Sequence, residues 1–113
     1  MALYQGEDIA LSLSGNELVD FTNSNFVVLI YSKNNKNDEL VIQGKDFEAL
    51  EDGTYLYTID RAITYNMKGA YTLEIMLESK EEQEEEKTRS IYIQDNAFFV
   101  EQSKIKDKNI SYD

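Results

Sequence analysis

The chain contains no cysteine and no histidine among its 113 residues. The lack of cysteine excludes a disulfide scaffold, a thiolate zinc site and a cysteine nucleophile. The lack of histidine removes the commonest general base, the commonest zinc ligand and the usual side chain for sensing pH near neutrality. Because most familiar catalytic centres need one of these two residue types, we predict that the chain is not an enzyme and uses no cofactor.

The residue types that remain provide no recognisable catalytic motif. The sequence has no glycine-rich phosphate loop and no nucleotide-binding fingerprint, and a serine nucleophile would have no histidine as its base. Paired carboxylates can hydrolyse glycosides and acidic loops can bind calcium. The densest acidic run, residues 81–86, lacks the spacing of a calcium-binding loop. We therefore interpret it as a solvated loop between two strands, because closely spaced like charges resist compact packing.

Positive charge is scarce, since 11 Lys and Arg residues stand against 22 Asp and Glu residues and the net charge is −11. Such a chain repels nucleic acid and anionic lipid. The first residues lack the basic start and apolar run of a secretory signal, and no apolar run approaches the ~20 residues that cross a bilayer. We predict no nucleic-acid partner, no membrane association and synthesis in a cytoplasm.

Proline is absent as well, so charged side chains have to protect any free sheet edge. The clearest positive signal is a regular alternation after Gly69, where every second residue, Tyr71, Leu73, Ile75 and Leu77, is large and apolar. This period of two predicts a strand with one buried face. The sequence at its start is typical of a tyrosine corner, in which the phenol bonds to backbone a few residues upstream. The alternative is an ordinary strand that begins with a tyrosine.

Short apolar segments of this kind recur along the chain, with turn signals about every ~8–12 residues, which indicates about seven short strands. The predicted strands are residues 7–14, 26–31, 40–43, 54–59, 69–77, 88–93 and 98–100. The predicted connections are an apolar patch and polar residues at 18–25, a polar loop at 32–39, a single helical turn or a loop at 45–51, and a connection at 60–66. The predicted fold class is all-β, as an antiparallel β-sandwich.

Two predicted strands carry more apolar side chains than one buried face can hold. Phe98 and Phe99 are adjacent, so they point to opposite sides of their strand. Val27, Leu29 and Tyr31 alternate with a second apolar set in the same way. A two-sided apolar strand in a small domain indicates either a covering segment of the chain or a partner subunit.

The segment after residue 101 joins lysines to isolated apolar residues in an otherwise acidic chain. We predict that residues 102–113 form either a short strand or an arm that becomes ordered on a partner. The complete set of candidate interface residues is Phe98, Phe99, Val27, Leu29, Tyr31, Ile105 and Ile110.

Several stretches also occur in an order that resembles a known family. They are Gly6-Glu7-Asp8-Ile9-Ala10-Leu11-Ser12-Leu13, Val19-Asp20-Phe21-Thr22, Gly53-Thr54-Tyr55, Ile63-Thr64-Tyr65-Asn66-Met67-Lys68-Gly69-Ala70-Tyr71-Thr72-Leu73-Glu74-Ile75 and Ala97-Phe98-Phe99-Val100. Together they resemble the immunoglobulin-like N-terminal domain of phage baseplate upper proteins and related tail and virion proteins. Two features depart from that family: Glu7-Asp8 stands where the family often has Asp-Thr, and the glutamate-rich loop is not typical.

The resemblance implies an immunoglobulin-like sandwich over residues 1–101, followed by a tail or arm at residues 102–113. It further implies a non-enzymatic building block of a virion that is assembled in the host cytoplasm. Its partners would be other virion structural proteins or copies of itself, bound through protein–protein contacts in a symmetric assembly. The alternative is a free-standing immunoglobulin-like module of a bacterial host that binds a carbohydrate or a cell-surface ligand. The lack of an export signal counts against that alternative.

Overall fold

A computed structural model describes residues 3–15, 21–22, 24–79 and 89–108, without the side chains of residues 35–38. This part of the chain is mostly β-structure, and the predicted all-β class is confirmed. Its strands are β1 (Leu3–Tyr4), β2 (Ile9–Ser14), β3 (Ser24–Ser32), β4 (Asn35–Gln43), β5 (Glu48–Ala49), β6 (Thr54–Ile59), β7 (Gly69–Ser79) and β8 (Arg89–Glu101). A one-turn helix, α1 (Arg61–Thr64), precedes β7, and 3-10 turns cover Gly44–Asp46 and Ile105–Asp107.

The described strands form two sheets that share one hydrophobic core. The larger sheet has the order β1-β8-β7-β3-β4, and the smaller one has the order β2-β6-β5. Ile9 and Ile59 of the smaller sheet and Val28 and Ile30 of the larger sheet are buried in the same cluster. Neighbouring strands are antiparallel except β1 and β8, which are parallel. The prediction of a purely antiparallel fold is therefore wrong for that pair.

The turn into β7 contains the predicted tyrosine hydrogen bond. Tyr71 is 1% exposed, and its phenol oxygen accepts the backbone N–H of Lys68 at 2.9 Å. Gly69 between them has a φ of +91°, a conformation that glycine adopts without the steric cost of a Cβ atom. The prediction that the phenol bonds to backbone a few residues upstream is confirmed, and the bond fixes the approach of the chain to β7.

The predicted polar loop at residues 32–39 is wrong over most of its length. Only Lys33 and Asn34 form the turn between β3 and β4, and the second strand begins at Asn35. Tyr31 pairs with Glu39 and Ser32 with Asn35, with a register shift between the two pairs. A polar segment can pair in this way because hydrogen bonding to a neighbouring strand does not require apolar side chains. Residues 45–51 likewise contain both the end of a 3-10 turn and the short strand β5.

The two predicted strands at residues 88–93 and 98–100 are one strand, β8. Its register with β7 shifts between the pairs Leu73–Gln94 and Tyr71–Phe98. Over that interval β8 inserts extra residues, and Asn96 takes a positive φ of 51°. The interval between the two predicted strands is therefore a β-bulge within a continuous strand, because a bulge absorbs extra residues without ending the pairing.

The described part of the tail packs against the start of the chain. Lys106 Nζ donates to the side-chain carbonyl of Gln5 at 2.6 Å and to the backbone carbonyl of Tyr65 at 3.1 Å. The buried Gln5 side chain also donates to the backbone carbonyl of Met67 at 2.9 Å. Residues 105–107 form a 3-10 turn, so the predicted short strand is wrong there. Ile110, most of the predicted apolar patch at 18–21 and the glutamate-rich run lie outside the described residues.

Candidate interaction surface

The larger sheet presents an apolar patch on the face that points away from the core. Val28 and Ile30 of β3 are buried, so their neighbours Val27 and Leu29 point outward. The strand register places Met76 beside Val27 and Val41 beside Leu29, while Glu74 of β7 lies between Leu29 of β3 and Ile93 of β8. We define the outer patch as Val27, Leu29, Val41, Met76, Ile91 and Ile93.

The outer patch is interrupted by Glu74 on its central strands and is strongly exposed at its margins. Val27, Leu29 and Met76 are half-buried on the two central strands. On the flanking strands Val41 is 57% exposed, Ile91 62% and Ile93 58%. The patch extends over four strands, about 14 Å between the axes of the outermost two at a strand spacing of about 4.8 Å. Exposed apolar side chains gathered on one sheet face are typical of interaction sites.

Two ion pairs lie at the margins of the outer patch. At one end Arg89 binds Glu78 at 2.8 Å, and near the β-bulge Lys33 binds Asp95 at 2.6 Å. Each pair joins one positive and one negative group, which offsets part of the negative charge of the chain at these two places. This arrangement is compatible with close approach of another protein surface.

Tyr31 occupies the same face as the outer patch and is held by a hydrogen bond. Its hydroxyl donates to Glu74 Oε1 at 2.7 Å. This bond to a carboxylate, together with some desolvation, raises the pKa of Tyr31 above its ordinary value of 10.0. The ring is thereby fixed across β3 and β7 with its polar end engaged.

The structure brings together three of the predicted interface residues, Val27, Leu29 and Tyr31, on one face. Phe99 pairs with Ala70 and is 55% exposed, but the β-bulge separates it from the outer patch along β8. The remaining predicted residues lie elsewhere: Phe98 packs on the core and stacks on Tyr71 with ring centroids 5.4 Å apart, Ile105 is 65% exposed on the 3-10 turn, and Ile110 is outside the described residues.

Sequence reasoning missed four members of the outer patch, Val41, Met76, Ile91 and Ile93. Alternation separates Ile91 and Ile93 from Tyr92, but it does not say which of the two sets faces the core. The register pairs Tyr92 with Ile75 and Ile91 with Met76, which turns the isoleucines outward. The signal that could have found them is the unusual choice of two isoleucines on one side of a strand that has only Tyr92 and polar residues on the other.

The described residues show no arrangement typical of a catalytic or metal site. They contain no group of three or more Asp and Glu side chains placed to hold a metal ion. Hydrogen bonds or ion pairs with Arg61, with the backbone N–H of Thr54 and with Lys33 lower the pKa values of Asp8, Asp52 and Asp95, in that order. A carboxyl group that acts as a general acid needs the opposite shift.

Comparison with known proteins gives no relative for this chain: no family model, curated protein or solved structure matches it. Within the part of the chain that is described, no helix is long and apolar enough to cross a membrane. The function therefore has to be argued from the geometry of the outer patch together with the sequence resemblance.

Proposed function

We propose that the chain is a non-enzymatic assembly module of a phage virion that binds other virion structural proteins or copies of itself through the outer patch. The observation that carries the proposal is the exposure of Val41, Ile91 and Ile93 on one continuous sheet face. Burying a Val or Ile side chain fully contributes about 1.5–3 kcal/mol. Covering these three residues therefore supplies several kcal/mol toward association.

The composition of this face favours a protein partner over a carbohydrate. The six side chains of the outer patch are aliphatic apart from the Met76 thioether, and ion pairs lie at its margins. A largely apolar surface with a polar rim is the usual anatomy of a protein–protein interface. Tyr31, which lies beside the patch, donates its hydroxyl proton to Glu74, the residue between Leu29 and Ile93. The phage part of the proposal rests on the sequence resemblance.

The proposal includes an immunoglobulin-like sandwich as the fold. In such sandwiches one sheet contains strands B, E and D, and the other contains G, F and C, with C′ added in the variable type. The order β2-β6-β5 follows B, E, D, and the order β8-β7-β3-β4 follows G, F, C, C′. The tyrosine bond of Tyr71 at the start of β7 occupies the position of the tyrosine corner at the start of strand F.

The test is incorporation into particles. Tagged chains are produced in the infected host, and virions are purified by sedimentation and probed for the tag. We expect the unchanged chain to sediment with the particles and the double variant V41D/I93D to be lost from them. The control L50D/I63D adds the same two negative charges at exposed apolar residues outside the outer patch and should be incorporated normally.

The virion role and the outer patch as interface are contradicted by different results. If the unchanged chain is absent from purified particles, the virion role is wrong. If V41D/I93D is folded and still incorporated like the control, the outer patch is not the interface. Circular dichroism of the purified variants establishes that they are folded before the comparison is made.

A further inference from the structure

The edge of the smaller sheet at β2 lacks the features that keep strand edges from pairing. Charged residues, proline, bulges and short length usually protect an edge. β2 has six residues, none of them charged, and pairs with β6 without a register shift. The described strands contain three other edges: β1 and β5 have two residues each, and β4 contains Lys36, Asp38 and Glu39. Among the described residues no strand pairs with the other side of β2.

A groove runs beside this edge, between β2 and the inner side of β8. Its volume is about 470 Å³, and none of the described residues that line it is charged. Leu11 and Leu13 form the β2 side, while Tyr92 and Phe98 belong to the β8 floor. The groove exists because the larger sheet extends past β2, which leaves Tyr92 39% exposed although it faces inward beside Ile75. We call this the β2 groove.

We propose that the β2 groove binds an extended segment of a partner protein as an additional strand next to β2. The edge of β2 supplies backbone hydrogen bonds, and the groove receives the side chains at alternate positions of the added strand. Because the described lining residues are uncharged and mostly apolar, the side chains that enter the groove are apolar. The six residues of β2 set the length of the paired segment.

The β8 floor beside the open β2 edge favours a single strand over a second copy of the folded chain. An added strand lies about 4.8 Å from β2 and about 10 Å above β8. Pairing β2 with the β2 of a second copy would place the β8 floor of each molecule beneath the shared edge, where the two floors compete for the same space. An arm or linker of a partner avoids this conflict. This surface is separate from the outer patch, so the inference does not depend on the proposed function.

Hydrogen exchange on the full chain provides the first test. In the protein alone, the β2 amides bonded to β6 should exchange slowly, and the alternate amides that point to the open edge should exchange fast. If every β2 amide is protected in the protein alone, another part of the chain already pairs with this edge and the proposal is wrong.

Peptide selection provides the second test. A yeast-displayed library of ten-residue peptides is selected against the full chain, and we expect enriched peptides with apolar residues at alternate positions. A synthetic copy of an enriched peptide should protect the fast β2 amides. The variants L11K on the β2 side and Y92K on the β8 floor should weaken its binding by at least about tenfold, while the control L50K, at an exposed leucine outside the groove, should bind as the unchanged chain does.

Some outcomes of the peptide selection would overturn the proposal. Failure to enrich any peptide overturns the proposal, as do enriched peptides that lack the alternation. Equal binding to folded L11K and Y92K overturns it as well. Two variants on different strands are used because a folding defect in one leaves the other informative, and each is checked by thermal unfolding.

Discussion

At the scale of single residues, the Tyr71 hydroxyl is the clearest contributor to stability. It accepts the N–H of Lys68 beneath a ring that is 1% exposed. In the variant Y71F that N–H loses its partner, and we expect the free energy of unfolding to fall by about 1–3 kcal/mol. Urea denaturation measures the change. The exposed Tyr4 is the matched control, because the free energy of unfolding of Y4F should stay within about 0.5 kcal/mol of that of the unchanged chain. Equal losses in the two variants would contradict a stabilising role for the bond between the Tyr71 hydroxyl and Lys68.

The Asp8–Arg61 pair predicts how stability depends on pH. Asp8 accepts hydrogen bonds from the Arg61 backbone N–H at 2.9 Å and from its guanidinium at 2.8 Å. The side-chain bond is the main reason that the pKa of Asp8 lies below its usual value of 3.8. A lowered pKa means that the folded chain favours the ionised form, so the contribution is complete above pH 3.8 and is lost as the pH falls through the lower folded value.

The variant D8N tests this dependence because it removes the titrating group. The unchanged chain should be more stable than D8N near neutral pH, and the difference between the two should shrink on acidification below the ordinary pKa of Asp. Urea midpoints of both chains across a pH series measure that difference, which cancels the effect of the other carboxyl groups. A difference that stays constant down to the acid limit would show that Asp8 titrates alike in both states.

At the scale of secondary-structure elements, the β-bulge of β8 is the feature with a specific residue requirement. Asn96 has a φ of +51°, which asparagine and glycine tolerate and β-branched residues do not. We expect N96V to destabilise the fold by about 1–2 kcal/mol, the cost of a left-handed conformation, and N96G to be close to neutral. Thermal unfolding compares the two. If N96V is as stable as N96G, the positive φ does not constrain this position.

The elements also show what the sequence could predict. The strand at β7 was predictable because its alternation is local and regular, and β6 followed for the same reason. The length of β4 was not predictable from hydropathy, because the pairing of its polar residues depends on backbone bonds to β3. The parallel pairing of β1 with β8 joins Leu3 to Val100, and no local pattern encodes a contact between residues so far apart.

Only some residues of the candidate interaction surface were predictable from the sequence. The two-sided apolar character of β3 indicated Val27, Leu29 and Tyr31, since one face of that strand had to lie outside the core. It did not indicate Ile91 and Ile93, because the orientation of β8 depends on its register with β7. The alternation of side chains along a strand predicts that the adjacent residues Phe98 and Phe99 lie on opposite faces. Only the register decides that Phe98 is the one beside Tyr71.

At the scale of the whole molecule, the excess of negative charge opposes folding through self-repulsion. The chain carries 22 acidic and 11 basic residues. Raising the ionic strength from about 0.01 M to 0.15 M shortens the screening length from about 30 Å to about 8 Å. We expect the melting temperature to rise with sodium chloride over this range, because repulsion among many charges weakens more than the few exposed ion pairs do.

A matched variant assigns the source of that salt effect. Replacing the five glutamates among residues 81–86 by glutamine changes the net charge from −11 to −11 + 5 = −6. If long-range repulsion limits stability, this variant should start with a higher melting temperature at low salt and gain less from added sodium chloride. Differential scanning calorimetry of both chains at several salt concentrations makes the comparison. If the melting temperatures of both chains rise with sodium chloride at the same slope, the charges of this run are not the source of the salt effect, and salt stabilises the chain by another route.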